Sequence, residues 1–205
     1  SVKSIHVLGY VGAQAGALRV KAGVGYAWAD VETVRNISFG GYQDRLTADY
    51  NANLPQAFGE VGVRVPLGTG FIEPMAQLIY LRAKTDGFSE AGGDAALTVN
   101  SAVEKTTLST IGARFETSVS GPVSFGGMVG WQHGYGKLTP LSRMSLAGGQ
   151  GFNIQGVPLS RDAGVVNVEA RFRLSDKAMI AVGYDGVIGT ASQDHAALAS
   201  FRLGF

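Results

Sequence analysis

The chain has 205 residues, no cysteine and a formal net charge of +1, with 16% charged residues and 30 glycines. Lack of thiols excludes a disulfide scaffold and thiolate zinc sites. Near-neutrality leaves no electrostatic footprint for nucleic acid, and no apolar run approaches the ~18 residues of a membrane helix. Charge lies well below the average of about 25% and glycine at about twice its usual share. A mean hydropathy of +0.13 is what segments that are half apolar and half polar produce.

Period-2 alternation marks nine candidate strands. The second is the clearest: Leu18, Val20, Ala22, Val24, Tyr26 and Trp28 share one face, with Arg19, Lys21, Gly23, Gly25, Ala27 and Ala29 on the other. The fifth sets Ile111, Ala113, Phe115 and Val119 against Thr110, Gly112, Arg114 and Glu116. The seventh opposes Val166, Val168, Ala170, Phe172 and Leu174 to Asn167, Glu169, Arg171 and Arg173, and the eighth places Ala178, Ile180, Val182 and Tyr184 together. The ninth runs from His195 to Phe205, with Ala197, Ala199, Phe201, Leu203 and Phe205 on one parity. Helical spacing would scatter the charges over every face.

The connections alternate in length. Short turns fall near Ala13–Ala17, Gly68–Gly70, Ser120–Pro122 and Ser175–Lys177. Between them lie polar stretches at about Asp30–Pro55, Lys84–Lys105 and Leu138–Arg161, with a short one near Thr190–His195. Short turns at one end and long loops at the other are the pattern of outer-membrane barrels. The fold class expected is therefore all-β, an antiparallel up-and-down transmembrane β-barrel. Its C-terminus is expected to be periplasmic and its long loops extracellular. Aromatics agree: Tyr26, Trp28, Tyr80, Trp131, Tyr135 and Tyr184 fall at outer strand ends, and Phe115, Phe125, Phe172, Phe201 and Phe205 at inner ones. A soluble sandwich or lipocalin-like barrel would bury the apolar face instead. A strand kept apolar to a terminal Phe, with loops of unequal length, favours lipid contact.

The second half carries Trp131-Gln-His133, Phe152-Asn-Ile-Gln-Gly-Val-Pro-Leu-Ser-Arg-Asp162, Tyr184-Asp-Gly186, Asp194-His195 and the terminal Phe-Arg-Leu-Gly-Phe205 in that order. Earlier come Val34-Arg35, Glu60-Val-Gly62, Glu73-Pro74, Asp86-Gly-Phe-Ser-Glu90 and Ile111-Gly-Ala-Arg114. This series resembles the C-terminal translocator domain of classical autotransporters (type V secretion). The resemblance implies a twelve-stranded barrel threaded by an N-terminal helix that tethers an exported passenger. Against that, nine strands put the first residue on the extracellular side. Residues 1–205 are thus expected to form a translocator barrel lacking its pore helix and about three strands. No signal peptide opens the sequence, as expected of a mature fragment. The implied partners are outer-membrane lipid, the barrel-assembly machinery, and the protein's own passenger and pore helix. The resemblance also makes Phe201, Leu203 and Phe205 the signal read by that machinery, by strand addition at an open edge.

The lumen-facing candidates are Arg19, Lys21, Glu60, Arg64, Glu73, Arg114, Glu116, Glu169, Arg171, Arg173, Asp185 and Arg202. They either solvate a wet interior or pair with the pore helix. Catalytic readings are weaker. Asp194 and His195, near Ser192 and Ser200, suggest a triad, but adjacent strand residues point to opposite faces. His133 shares parity with Trp131 and Tyr135 at the rim, and His6 has no neighbouring acid. Three scattered histidines give no metal-ligand spacing, and pieces such as Gly23-Val-Gly25 lack the strand-to-helix setting of a nucleotide loop. No cofactor and no enzymatic activity are expected. Two other readings remain, a self-contained outer-membrane porin or adhesin and an omptin-like outer-membrane enzyme.

Overall fold

The computed structural model describes residues 1–117, 122–146 and 149–204. Val119, the turn near Ser120–Pro122 in part, and Phe205 lie outside the described residues. The strands in chain order are β1 (Val2–Ala15), β2 (Leu18–Phe39), β3 (Tyr42–Val63), β4 (Val65–Leu67), β5 (Gly70–Thr85), β6 (Phe88–Ser89) and β7 (Leu97–Val99). They continue as β8 (Ala102–Glu116), β9 (Val123–Tyr135), β10 (Leu141–Leu146), β11 (Phe152–Gln155), β12 (Asp162–Arg173), β13 (Ala178–Gly189) and β14 (Gln193–Leu203). The main sheet has the order β1-β2-β3-β5-β8-β9-β12-β13-β14, with β4 paired to β5. Each strand pairs antiparallel with the next long strand in sequence, the up-and-down order expected. The sheet is curled into a half-barrel, and β1 and β14 are its two edges.

One register explains why β3 and β4 are separate. Val65 pairs with Ile72 in the same alignment that pairs Gly62 with Met75, so β4 is the continuation of β3. The Arg64 amide donates to Ala17 on the opposite side, at 2.8 Å. Val63 must then face β5, and the residue waiting there is Pro74, which has no N–H to give. The same ladder skips Leu54 and Pro55 between Asn53–Lys84 and Gln56–Leu81. Two prolines thus thin one seam of the wall without bending either strand out of register.

The long polar stretches are more ordered than alternation alone indicated. Asp30–Pro55 is no loop: β2 and β3 stay paired from Leu18–Val63 to Phe39–Tyr42. The hairpin closes on Gly40 and Gly41 at φ 52° and 87°. Both central residues of this turn need positive φ, which glycine adopts without a Cβ penalty. The other two stretches meet in a second sheet of order β11-β10-β7-β6. Its strands run from two to six residues, too short for period-2 alternation to stand out. The connection near Thr190–His195 is also tighter than its sequence suggests, because β14 already begins at Gln193.

The two faces of the main sheet differ as the alternation requires. Val24 is 65% exposed, and Trp28, Leu78, Tyr80, Ile111, Val129, Trp131, Val182 and Phe201 are exposed on the same face. The opposite face is crowded, with Ala27, Met75, Ala181, Glu60 and Glu73 buried. Phe58 lies over Gly23 there, so that a Cβ on Gly23 would sit 2.4 Å from its ring. An apolar exterior over a polar interior inverts the pattern of a water-soluble barrel.

Candidate functional site

Strand pairing brings the inward charges together. Glu60 on β3 is 8% exposed and Glu73 on β5 only 1%. A buried carboxylate needs hydrogen-bonding cations around it, and four supply them. Arg114 on β8 binds Glu60 through both terminal nitrogens, with Nη1 2.8 Å from Oε1, and donates from Nη1 to Glu73 Oε1 at 3.2 Å. Arg64 Nε donates to Glu73 Oε2 at 2.8 Å, and Lys21 Nζ lies 3.1 Å from Glu60 Oε1. Arg19 Nε stands 3.5 Å from Glu73 Oε2 without a hydrogen bond, and among the described residues it is a buried donor lacking a partner. Gly62 makes room: a Cβ there would meet the Glu73 carboxylate at 3.1 Å. The Arg64 guanidinium also stacks 3.6 Å above the Phe71 ring.

A second, smaller group lies farther round the same face. Arg171 on β12 bonds Glu169 beside it and Glu116 on β8, the latter at 3.0 Å. Asn167 donates to Asp185 across the β12–β13 pair. Of the twelve candidates, ten lie in contacts within the wall. Among the described residues Arg173 and Arg202 carry no such contact. Sequence parity puts charges on a face; it cannot show which ones meet across two strands.

A third cluster, invisible in the sequence, sits beyond the aromatic belt. Residues 88–97 fold back over the inner side of the β2–β3 hairpin. Glu90 binds Arg35, at 3.0 Å through Nε, and Arg35 also donates to the Ala95 carbonyl at 2.9 Å. Asp44 accepts from Tyr42 and from the Ala95 amide. Phe88 stacks on Tyr50 with ring centroids 4.3 Å apart, and Leu46 beneath is wholly buried. The Arg35 guanidinium holds the Glu90 carboxyl below the usual carboxylate range, and the Tyr42 hydroxyl does the same for Asp44.

The histidines resolve as parity implied. His195 and Asp194 occupy opposite faces of β14, and His195 Nδ1 meets Tyr184 at 2.6 Å instead. Ser192 bonds Ser160, whose hydroxyl also accepts from the Ala191 and Ser192 amides at 2.9 and 2.8 Å. His6 contacts Ser4 at 3.1 Å. His133 shares the face of Trp131 and Tyr135 and bonds Asp162 at 2.8 Å, a partner 29 residues away that local reading missed.

A curled up-and-down sheet, apolar outside and charged within, is the wall of an outer-membrane type β-barrel. The comparisons agree. Residues 1–185 match the autotransporter beta-domain family. Two extracellular serine proteases of Serratia marcescens are each 31% identical over 194 residues, covering 93% of this chain. The chain spans 19% of the length of those relatives. The translocator domain of the autotransporter NalP from Neisseria meningitidis superimposes with a TM-score of 0.70 at 18% identity. That match covers all of this chain and 66% of the NalP chain. The chain belongs to the autotransporter beta-domain family, and its setting is the bacterial outer membrane.

Proposed function

We propose that residues 1–205 are the translocator part of a protein that carries its own passenger across the outer membrane. The observation that carries this reading is the two-sided wall of a family member. Lipid meets a broad apolar belt, while the opposite face keeps a hydrated, charged lining suited to a chain segment in transit. In this reading the long connections face outward and the short turns the periplasm. The domain itself performs no catalysis, and an activity such as that of the Serratia relatives would belong to the passenger.

The twelve charged candidates are lumen-facing in this arrangement. Most of them brace the wall, and Arg19–Glu73, Arg114–Glu60 and Arg171–Glu116 each reach to the second strand over. The main network joins four cations to two carboxylates and so retains a net +2. That excess, with the free Arg19 donor, Arg173 and Arg202, is what a pore-occupying helix would meet. Phe201, Leu203 and Phe205 are the residues read by the barrel-assembly machinery. The decisive experiment expresses the full-length protein in a Gram-negative host and probes its upstream part with protease on intact cells. Surface display that disappears when residues 1–205 are removed supports the proposal; display without them overturns it.

A further inference from the structure

At the rim of the lipid-facing side next to the long connections, several charges meet an opposite one. Lys3 lies 3.9 Å from Glu32, Lys84 lies 2.7 Å from Asp86, and His133 bonds Asp162 at 2.8 Å. Arg82 on β5 and Lys105 on β8 do the reverse, standing directly opposite each other in the sheet register. Among the described residues neither has an ion-pair or hydrogen-bond partner, and the nearby Asp86 is already held by Lys84. Arg82 shares the parity of Leu78 and Tyr80, and Lys105 that of Ile111, so both belong to the lipid side. Glu104, next to Lys105, is on the other face and accepts from the Leu141 amide at 3.2 Å. Directly opposed residues of antiparallel strands lie about 5 Å apart at Cα, and like charges so placed destabilise the pair. A third cation, the exposed Lys137, follows two residues after Tyr135. This stretch of rim therefore lacks an anion.

Toward the middle of the wall the surface changes character. Tyr80, Thr107 and Tyr135 form one row across three strands, and Leu78, Ile111 and Trp131 farther down are exposed and apolar. Tyrosine and tryptophan settle where acyl chains give way to headgroups. Arg82 and Lys105, two residues beyond Tyr80 and Thr107, then reach headgroup level, their stems on apolar wall and their charged ends in water. We propose that Arg82 and Lys105 bind the phosphate of an anionic, phosphorylated lipid in the leaflet nearest the long connections. The guanidinium gives phosphate two parallel N–H bonds, and the ammonium adds a point charge. The phosphate separates the two cations and supplies the charge that the sheet omits, while the acyl chains lie over Leu78 and Ile111. That apolar floor is what makes the ligand a lipid and not a free anion. A lipid that binds only the folded wall stabilises it. The site needs the lipid-facing wall alone, whatever passes through the lumen.

The test uses the full-length protein purified in dodecyl maltoside, a detergent without phosphate. It is titrated with diphosphoryl lipid A, or with the same lipid stripped of its phosphates. The phosphorylated lipid should stay bound in native mass spectrometry and raise the Tm; the stripped lipid should do neither, and inorganic phosphate should not displace the bound lipid. The double variant Arg82→Gln, Lys105→Gln should bind about tenfold more weakly, since two cations at the headgroup are lost. In detergent alone it should melt no lower than the wild type, because a repulsion has been removed. Lys105→Glu, which gives Arg82 an ion pair, should bind as poorly and melt higher, and it decides the matter if the double variant does not fold. Lys3→Gln, at the same rim but paired with Glu32, should bind like the wild type. Equal binding of the stripped lipid, displacement by inorganic phosphate, or undiminished binding by Lys105→Glu overturns the proposal. So does a loss in Lys3→Gln as large as that in the double variant. Passenger display is measured separately, so none of these failures touches the translocator reading.

Discussion

Arg114 on β8 reaches over β5 to clasp Glu60 on β3, and on the way its Nη1 also holds Glu73. Alternate strands of a sheet lie about 9.5 Å apart, a span that suits a guanidinium on a long side chain. The contact therefore ties three strands at once, and it does so beside Pro74, where the β3–β5 ladder has lost a hydrogen bond. Side chains here reinforce a seam that the backbone leaves thin.

Removing the carboxylate at the centre of this network should be costly. Glu73→Ala leaves Arg64, Arg114 and Arg19 facing one another, and loss of one member of a buried ion pair costs about 3–5 kcal/mol. The lower end is expected, since Arg64 and Arg19 keep partial access to water. Glu116→Ala should cost less than half as much, because its pair with Arg171 is about one-third exposed. Urea unfolding in lipid vesicles measures both, and equal effects would mean that the network has no centre.

The apolar face should refuse charge. Val24→Arg near mid-strand should cost about 2–4 kcal/mol, the penalty for a cation at the bilayer midplane. A variant as stable in vesicles as the wild type would reverse the assignment of faces.

The cover over Leu46 should loosen in acid. Glu90 and Asp44 both titrate below their ordinary range in the folded chain, so their contribution is complete above the unfolded carboxylate pKa. It is lost as pH falls through the depressed folded values. The mutual hydrogen bonds of Thr47 and Ala91, both 2.9 Å, report on closure. Their amide protection, corrected for intrinsic exchange, should drop below about pH 4. Arg35→Ala should lower protection already at neutral pH.

Topology can be read by thiol labelling on intact cells. Cysteine replacing Asp94 or Gln150, both exposed in the long connections, should react with an impermeant reagent, and one replacing Thr69 should not. Gly92 is unsuitable as a probe site, because its φ of 121° and a Cβ 2.2 Å from the Arg45 carbonyl would strain the turn. Labelling at Thr69 alone would invert the orientation.

Deleting Phe205 tests the assembly signal. The deletion leaves Phe201 and Leu203 on the exposed edge strand β14, so refolding in detergent should change little while membrane-inserted yield in cells falls sharply. Parallel loss in both assays would make Phe205 an ordinary girdle aromatic.

The number, order and alternation of the nine long strands of the main sheet were legible in the chain because period 2 is a local property. Leu18 to Trp28 and Ala178 to Tyr184 declare their faces without reference to any partner, and short turns between neighbours leave little choice of pairing. The same periodicity placed Arg114, Glu60 and Glu73 on one side and kept Asp194 away from His195. It could not pair Arg114 with Glu60, 54 residues apart, nor bring Glu90 to Arg35 or Asp162 to His133. Those contacts depend on register and curl, which arise only when the whole sheet is assembled. The small sheet was hidden for the same reason. Its strands are too short to signal themselves, and hydrogen bonds between distant connections, not local propensity, make them strands at all.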